Sequence, residues 1–189
     1  LMLKNHFYDV YDLQHLSEIE TVFKTDGLVG LNVTIPFKEK VVPYLDELSD
    51  EAEKTGAVNC ILIKDQVKKG YNTDVFGFEK TLVLHRKDFH DSALVLGNGG
   101  AAKAVKYVLE QHQIPYQTVS RNADLNFGNL TAETVRKNRL IIQCTPVGTF
   151  PNVDDCLDFP FDGITGQHLV IDLIYNPDYT SFIKKSSEK

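Results

Sequence analysis

The chain has 189 residues, 42% hydrophobic and 24% charged, and its 20 lysines and arginines against 26 aspartates and glutamates leave a net charge of −6. Such a composition excludes disorder and fibrous repeats, and a chain of this length buries roughly 70% of its unfolded surface. With a pI near 5.5 it carries no electrostatic footprint for a phosphate backbone, so nucleic acid is not an expected partner.

No apolar run approaches the roughly 18 residues of a spanning helix, and the N-terminus lacks a signal-peptide pattern. A membrane is therefore not an expected partner, and the cytoplasm is the expected location. Cys60, Cys144 and Cys156 are odd in number and widely spaced, which suits reduced thiols better than a disulfide framework. His85 and His90 have no ligand-like companions, so no metal is expected. The chain has no G-x-S-x-G or H-E-x-x-H motif, which leaves hydrolase chemistry without a foothold. It opens Leu1-Met2-Leu3 rather than on an initiator methionine and reads as incomplete.

In chain order, residues 7–13 read as a strand, 17–24 as a helix capped by Ser17, and 28–34 as a second strand. Pro36 suits the first position of a helix, and residues 47–54 continue as a polar-faced helix. Residues 58–64 and 66–71 read as antiparallel strands around a turn at Asp65, followed by a helix from Thr73 to about Arg86. The polar segment 86–91 marks a domain boundary. Beyond it the apolar runs 93–96, 140–142 and 169–174 are continuous rather than alternating, with a further strand at 116–120 and helices at 101–111 and 132–137. Continuous apolar strands are buried on both faces, which predicts a parallel, doubly wound sheet.

The sharpest local feature is Gly97-Asn98-Gly99-Gly100-Ala101-Ala102, which fits G-x-G-x-x-A between a buried strand and an Ala-rich helix. The first glycine permits a tight turn, the second lets backbone approach a pyrophosphate, and Ala102 allows close packing. Some 20 residues on, where a free ribose hydroxyl would favour a carboxylate, the chain has Ser120-Arg121-Asn122. The guanidinium of Arg121 suits a 2′-phosphate and favours NADP over NAD, unless it is only a loop cation paired with Asp124.

Asn32-Val-Thr-Ile-Pro-Phe-Lys38 puts Lys38 in the expected first helical turn, where the dipole disfavours a cation and eases proton exchange; a solvated surface lysine is the bland alternative. In Asn72-Thr-Asp74, capping by Asn72 or Thr73 with Asp74 at the positive end of the dipole is an architectural explanation. Gly56-Ala-Val-Asn59 reads equally as a turn entering a strand.

Taken in order, those three motifs with Gly97-Asn-Gly-Gly-Ala101, Cys144-Thr-Pro-Val-Gly148 and Asp172-Leu-Ile-Tyr-Asn-Pro177 resemble the shikimate dehydrogenase family across about residues 28–177. The resemblance implies an α/β protein with an N-terminal substrate domain at residues 1–86, a Rossmann-like NADP-binding domain at 87–178, and at 179–189 the start of a helical segment returning to the first domain. It implies reversible NADPH-dependent reduction of 3-dehydroshikimate to shikimate by a monomer or homodimer. Lys38 matches the family's proton donor and Asp74 its aspartate partner. Asp74 raises the lysine pKa while the expected dipole lowers it. Thr34, Asn59 and Tyr175 match substrate contacts.

Gly97, Asn98, Gly99, Gly100 and Ala101 match the pyrophosphate turn, and Ser120, Arg121 and Asn122 stand where the family has Asn-Arg-Thr. Thr145, Pro146 and Val147 border the cofactor in the same resemblance, with Leu173 beside the nicotinamide. The family's Ser-x-Ser-Pro element, which holds the substrate carboxylate, and its C-terminal helical segment are absent from the chain, so weak activity is expected if the chain ends there. The alternatives are an NAD-preferring quinate or shikimate dehydrogenase and a nucleotide-binding sensor of the same fold that has lost turnover. Opening and closing between the two domains is also expected.

Overall fold

The computed structural model describes residues 7–189, so the first six residues of the expected substrate domain lie outside it. Residues 7–13 form no strand. An extended run becomes a strand only where a neighbour completes its hydrogen bonds, and no described segment pairs with this one. The helix expected over 17–24 is shorter: Leu16–Glu18 form a single tight turn, the Glu18 carboxylate accepts from the His15 N–H at 2.7 Å, and α1 is Ile19–Val22. Ser17 therefore lies inside the turn rather than capping it.

The strand β1 (Gly30–Asn32) leads into residues 35–41, which are turns and not the helix expected after Pro36. Phe37 N–H reaches Thr34 C=O and Val41 N–H reaches Phe37 C=O, but beyond them the bonds tighten to a single 3-10 turn over Val42–Tyr44 rather than extending an α-helix. Pro43 has no N–H to continue it, and the short stretch between the two prolines cannot repay the cost of nucleating a helix. The polar segment that follows splits into β2 (Glu47–Leu48) and α2 (Asp50–Thr55), with the Ser49 hydroxyl capping α2 through Ala52 N–H. Gly56, at φ +60°, ends that helix in the left-handed conformation glycine permits.

The next strands are β3 (Cys60–Lys64) and β4 (Val67–Tyr71), joined antiparallel through Asp65 and Gln66, both at positive φ. They complete a mixed sheet in the order β1-β3-β4-β2. Its core is built on Ile19, Val41, Ala52, Val58 and Ile61.

The helix α3 (Thr73–His85) leaves this sheet and packs its buried Val75, Phe78 and Leu82 into the core of the second one. The second sheet is parallel and four-stranded: β5 (Ala93–Leu96), β6 (Tyr116–Val119), β7 (Leu140–Gln143) and β8 (Leu169–Asp172), in the order β6-β5-β7-β8. Every residue of β5 and β7 is buried, as continuous apolar strands require. One face is covered by α3 and by α4 (Gly100–Gln111). On the other lie α5 (Ala132–Lys137), α6 (Ser181–Ser187) and the edge-packed rings of Phe159, Phe161 and Phe182. The chain passes from β5 to β6 on one side and then crosses to β7 on the other, so the strand order reverses between β5 and β7. In such sheets the crevice beyond the carboxyl ends at that reversal is where ligands bind.

Candidate active site

The turn after β5 enters that crevice. Gly97 has φ +114°, and a Cβ there would meet Thr145 Cγ2 at 3.1 Å and the Cys144 carbonyl carbon at 3.3 Å, so the loop after β7 lies directly on the glycine turn. Asn98 accepts a hydrogen bond from Lys106. A Cβ on Gly99 would meet nothing within 4 Å, which leaves its backbone open for a ligand's close approach. Gly100 and Ala101 begin α4, and Ala102 is fully buried beneath them.

Lys38, carried by the turn after β1, faces this same crevice. A Cβ on Gly100 would stand 3.3 Å from Lys38 Cβ and 3.4 Å from its Cδ. The Nζ of Lys38 donates to Asp74 Oδ2 at 2.7 Å, the two side chains being 17% and 32% exposed. With residues 35–41 in turns, Lys38 has no helix dipole of its own; the compensating group is the carboxylate of Asp74 in the first turn of α3. One residue on, Glu39 pairs with Lys103 of α4 at 2.6 Å and bonds across the crevice.

Asn59 does more than its turn-like sequence announced. Its Oδ1 accepts from Thr73 N–H at 2.9 Å, capping α3 from the bend just before β3, while its Nδ2 donates to Asp74 Oδ1 at 2.8 Å and to the Thr73 hydroxyl at 2.9 Å. Asn72 makes no cap hydrogen bond and instead ties to Thr55 Oγ1 and Ala57 C=O in the interior, so neither residue expected to cap α3 does so through its side chain. The two oxygens of Asp74 are thus divided between Lys38 and Asn59.

Thr34 is exposed at the mouth of this turn, and its carbonyl accepts from Phe37 N–H. Tyr175 stands 88% exposed on the loop after β8 and makes no hydrogen bond to the Lys38–Asp74 pair. Ser120, Arg121 and Asn122 form a turn closed by Ala123 N–H on Ser120 C=O. Among the described residues Arg121 makes no ion pair, with Asp124 or any other carboxylate. Thr145, Pro146 and Val147 follow β7, and Leu173, after β8, packs partly buried on the core beneath the crevice.

At the carboxyl edge of the sheet stand two polar groups to which sequence reasoning assigned no role: Gln143, which no motif singled out, and Asp172, which only opens one. Gln143 is fully buried at the end of β7 and spends its carboxamide on the loop that follows. Asp172, at the end of β8, accepts from Ile174 N–H at 3.0 Å and from Thr180 Oγ1 at 2.6 Å, and burial pushes its carboxyl up from the usual range despite those bonds. Their signal was a lone polar residue closing an apolar strand just before a turn. Cys60, Cys144 and Cys156 are free thiols; burial, with the Asp172 carboxylate adding to it, pushes Cys144 far up and leaves it a poor nucleophile. A cavity of about 790 Å³, lined by Ser92, Gln117, Asp124, Thr134, Lys137 and Asn138, lies between β6 and α5 and includes neither Lys38 nor Asp74. No described helix is long and apolar enough to cross a membrane.

A parallel sheet with a glycine turn at its reversal point, facing a lysine–carboxylate pair held by a second sheet, defines a two-lobed α/β oxidoreductase of the dinucleotide-binding kind. Residues 4–61 match the family model described as the shikimate dehydrogenase substrate binding domain. The chain is 37% identical over 197 residues to shikimate dehydrogenase (NADP(+)) of Clostridium beijerinckii, an alignment covering 96% of this chain and 73% of that protein. It is 33% identical over 198 residues to the enzyme of the same name from Methanosphaera stadtmanae, covering 94% and 70%. The crystal structure of shikimate dehydrogenase from Aquifex aeolicus superposes with a TM-score of 0.76 at 34% identity, over 92% of this chain and 68% of that one. The chain belongs to the shikimate dehydrogenase family.

Proposed function

We propose that this protein catalyses the reversible reduction of 3-dehydroshikimate to shikimate with NADPH, with Lys38 as proton donor and Asp74 as its partner. The reading is carried by one observation: the 2.7 Å Lys38–Asp74 pair sits with its lysine stem against Gly100 of the dinucleotide turn. The nucleotide, when bound, supplies the hydride. As the ketone becomes an alkoxide, the ammonium of Lys38 gives its oxygen a proton and is reprotonated from solvent; in oxidation the neutral amine takes the hydroxyl proton. An ammonium has three N–H groups, and with one spent on Asp74 the others are available to substrate.

Asn59 keeps Asp74 from rotating. Both of its N–H groups are engaged, so holding Asp74 comes before any contact with the substrate ring. Thr34 and Tyr175 offer hydroxyls for that ring. The residues present fit the nucleotide: Gly99 leaves the open approach a pyrophosphate needs, and the first turn of α4 offers backbone N–H groups to it. Gly97, Asn98, Gly99, Gly100 and Ala101 would hold the pyrophosphate. Ser120, Arg121 and Asn122 would hold the 2′-phosphate, a reading supported by the absence of any carboxylate on Arg121 among the described residues. Thr145, Pro146 and Val147 would border the cofactor, with Leu173 beside the nicotinamide. In this reading residues 1–86 serve the substrate and 87–178 the nucleotide, while α6, expected to start a return toward the first part, packs through Phe182 on the nucleotide-side sheet.

The test is a spectrophotometric assay of the purified protein with shikimate and NADP, then with quinate and NAD. Reduction of NADP by shikimate above the other pairing is the expected result. Nucleotide binding without turnover on any pairing would overturn the proposal in favour of a sensor.

A further inference from the structure

Gln143 is a costly residue where it stands. It ends the otherwise apolar strand Leu140-Ile-Ile and is 0% exposed, and a buried carboxamide without partners forfeits the hydrogen bonds it had with water. It is satisfied, but not by the sheet. Its Oε1 accepts from Thr145 N–H at 2.8 Å and its Nε2 donates to Val147 C=O at 3.2 Å. The Thr145 hydroxyl adds a bond from Val147 N–H at 3.3 Å. One side chain therefore fixes both ends of the Thr145–Val147 turn.

That turn matters because of what it rests on. Thr145 Cγ2 and the Cys144–Thr145 peptide lie 3.1 to 3.3 Å from where a Cβ of Gly97 would be, so the turn's position and the shape of the glycine turn are set together. Gln143 itself cannot drift, since its backbone is paired with Leu96 of β5 and Asp172 of β8.

We infer that Gln143 is a positioning residue for the nucleotide: through its carboxamide it holds the Thr145–Val147 turn against Gly97 in the shape that receives the dinucleotide. The inference rests on the nucleotide reading given above. An apolar residue of the same size would fill the sheet equally well but leave Thr145 N–H and Val147 C=O unpaired, and the turn would have to find another shape.

Two variants test it, with NADPH binding followed by fluorescence and stability by thermal unfolding. Gln143→Leu is expected to weaken NADPH binding on the order of tenfold, with a smaller effect on kcat than on the KM for NADPH. Gln143→Glu supplies a readout that simple loss of packing would not move. As a carboxylate at about pH 8 it turns a second acceptor toward Val147 C=O; protonated at about pH 6 it both accepts from Thr145 and donates to Val147, as glutamine does. Burial and the neighbouring carboxylate of Asp172 on β8 favour the protonated form. NADPH affinity of this variant should therefore recover toward that of the unaltered protein as pH falls across that range. Equal NADPH affinity in the unaltered protein and Gln143→Leu, or a Gln143→Glu affinity that stays as low at about pH 6 as that of Gln143→Leu, overturns the positioning role alone. Failure of the unaltered protein to bind NADPH overturns the nucleotide reading beneath it.

Discussion

Gly99 and Gly100 are neighbours in one turn, yet the structure assigns them different work, and alanine at each should separate the two. A methyl on Gly100 would stand 3.3 Å from Lys38 Cβ and 3.4 Å from Cδ. That is a few tenths of an ångström inside ordinary carbon contact of about 3.5–4.0 Å. The lysine stem cannot swing away at no cost, because Nζ is tied to Asp74 at 2.7 Å and Asp74 is tied to Asn59 at 2.8 Å. A displacement of about 1 Å at a reacting group can cost about 100-fold, so a shift of a few tenths should lower kcat roughly 3- to 30-fold. Folding should not suffer, since alanine is favoured over glycine in a helix by up to about 1 kcal/mol.

Gly99→Ala is the control. Its φ of −89° and ψ of −169° are open to any residue and no protein atom lies within 4 Å, so its loss should fall on the KM for NADPH. Steady-state kinetics with both substrates varied, beside thermal unfolding, reads all of this. A Gly100→Ala enzyme with unchanged kcat, or one losing only nucleotide affinity, would refute the placement of Lys38 against the turn.

Lys38→Ala should lower kcat by roughly 100-fold or more, the scale of a lost general acid, with a smaller change in substrate binding; unchanged turnover removes Lys38 from the chemistry. Arg121→Ala should raise the KM for NADPH while sparing NADH, and equal loss for both cofactors would count against a 2′-phosphate contact. His90 gives a stability prediction. Burial, opposed by the Gln167 carbonyl and helped by the nearby positive charges of Lys87 and Arg86, lowers its pKa below the ordinary 6.5. The unfolded chain then binds the proton first, so the stability this residue contributes is present above about pH 6.5 and is lost as pH falls through the lower folded value. The melting temperature should drop below that pH, and His90→Asn should flatten that part of the profile; a parallel profile in the variant would remove His90 as the cause.

The parallel sheet was legible because its signals are local. A continuous apolar run such as 93–96 has few other solutions, and the glycine turn announces both its strand and its helix. The first sheet was less legible because its elements are short and depend on partners. Glu47 and Leu48 carry no strand signal of their own and become one only beside Lys69 and Gly70. The helix expected after Pro36 failed for a reason visible in the sequence, since Pro43 denies it a donor where it would have to propagate. At the site, the Lys38–Asp74 pairing was legible through motif resemblance, whereas Asn59 capping a helix fourteen residues away is a tertiary fact no local pattern encodes.

The packing of α3 decides how this pair behaves mechanically. Asp74 begins α3, and although Val75, Phe78 and Leu82 of the same helix belong to the core under the parallel sheet, the start of the helix is tied to the first lobe: Asn72 is bonded to Thr55 and Ala57, and Asn59 is bonded to both Thr73 N–H and Asp74 Oδ1. Lys38 and Asn59 belong to the first sheet and move with it. The Lys38–Asp74 pair therefore stays with the first lobe, and any opening of the crevice must stretch the Glu39–Lys103 pair and lift the lysine stem from Gly100. The ammonium thus keeps its carboxylate whatever the crevice does, and closure would bring an already formed pair to the nucleotide turn.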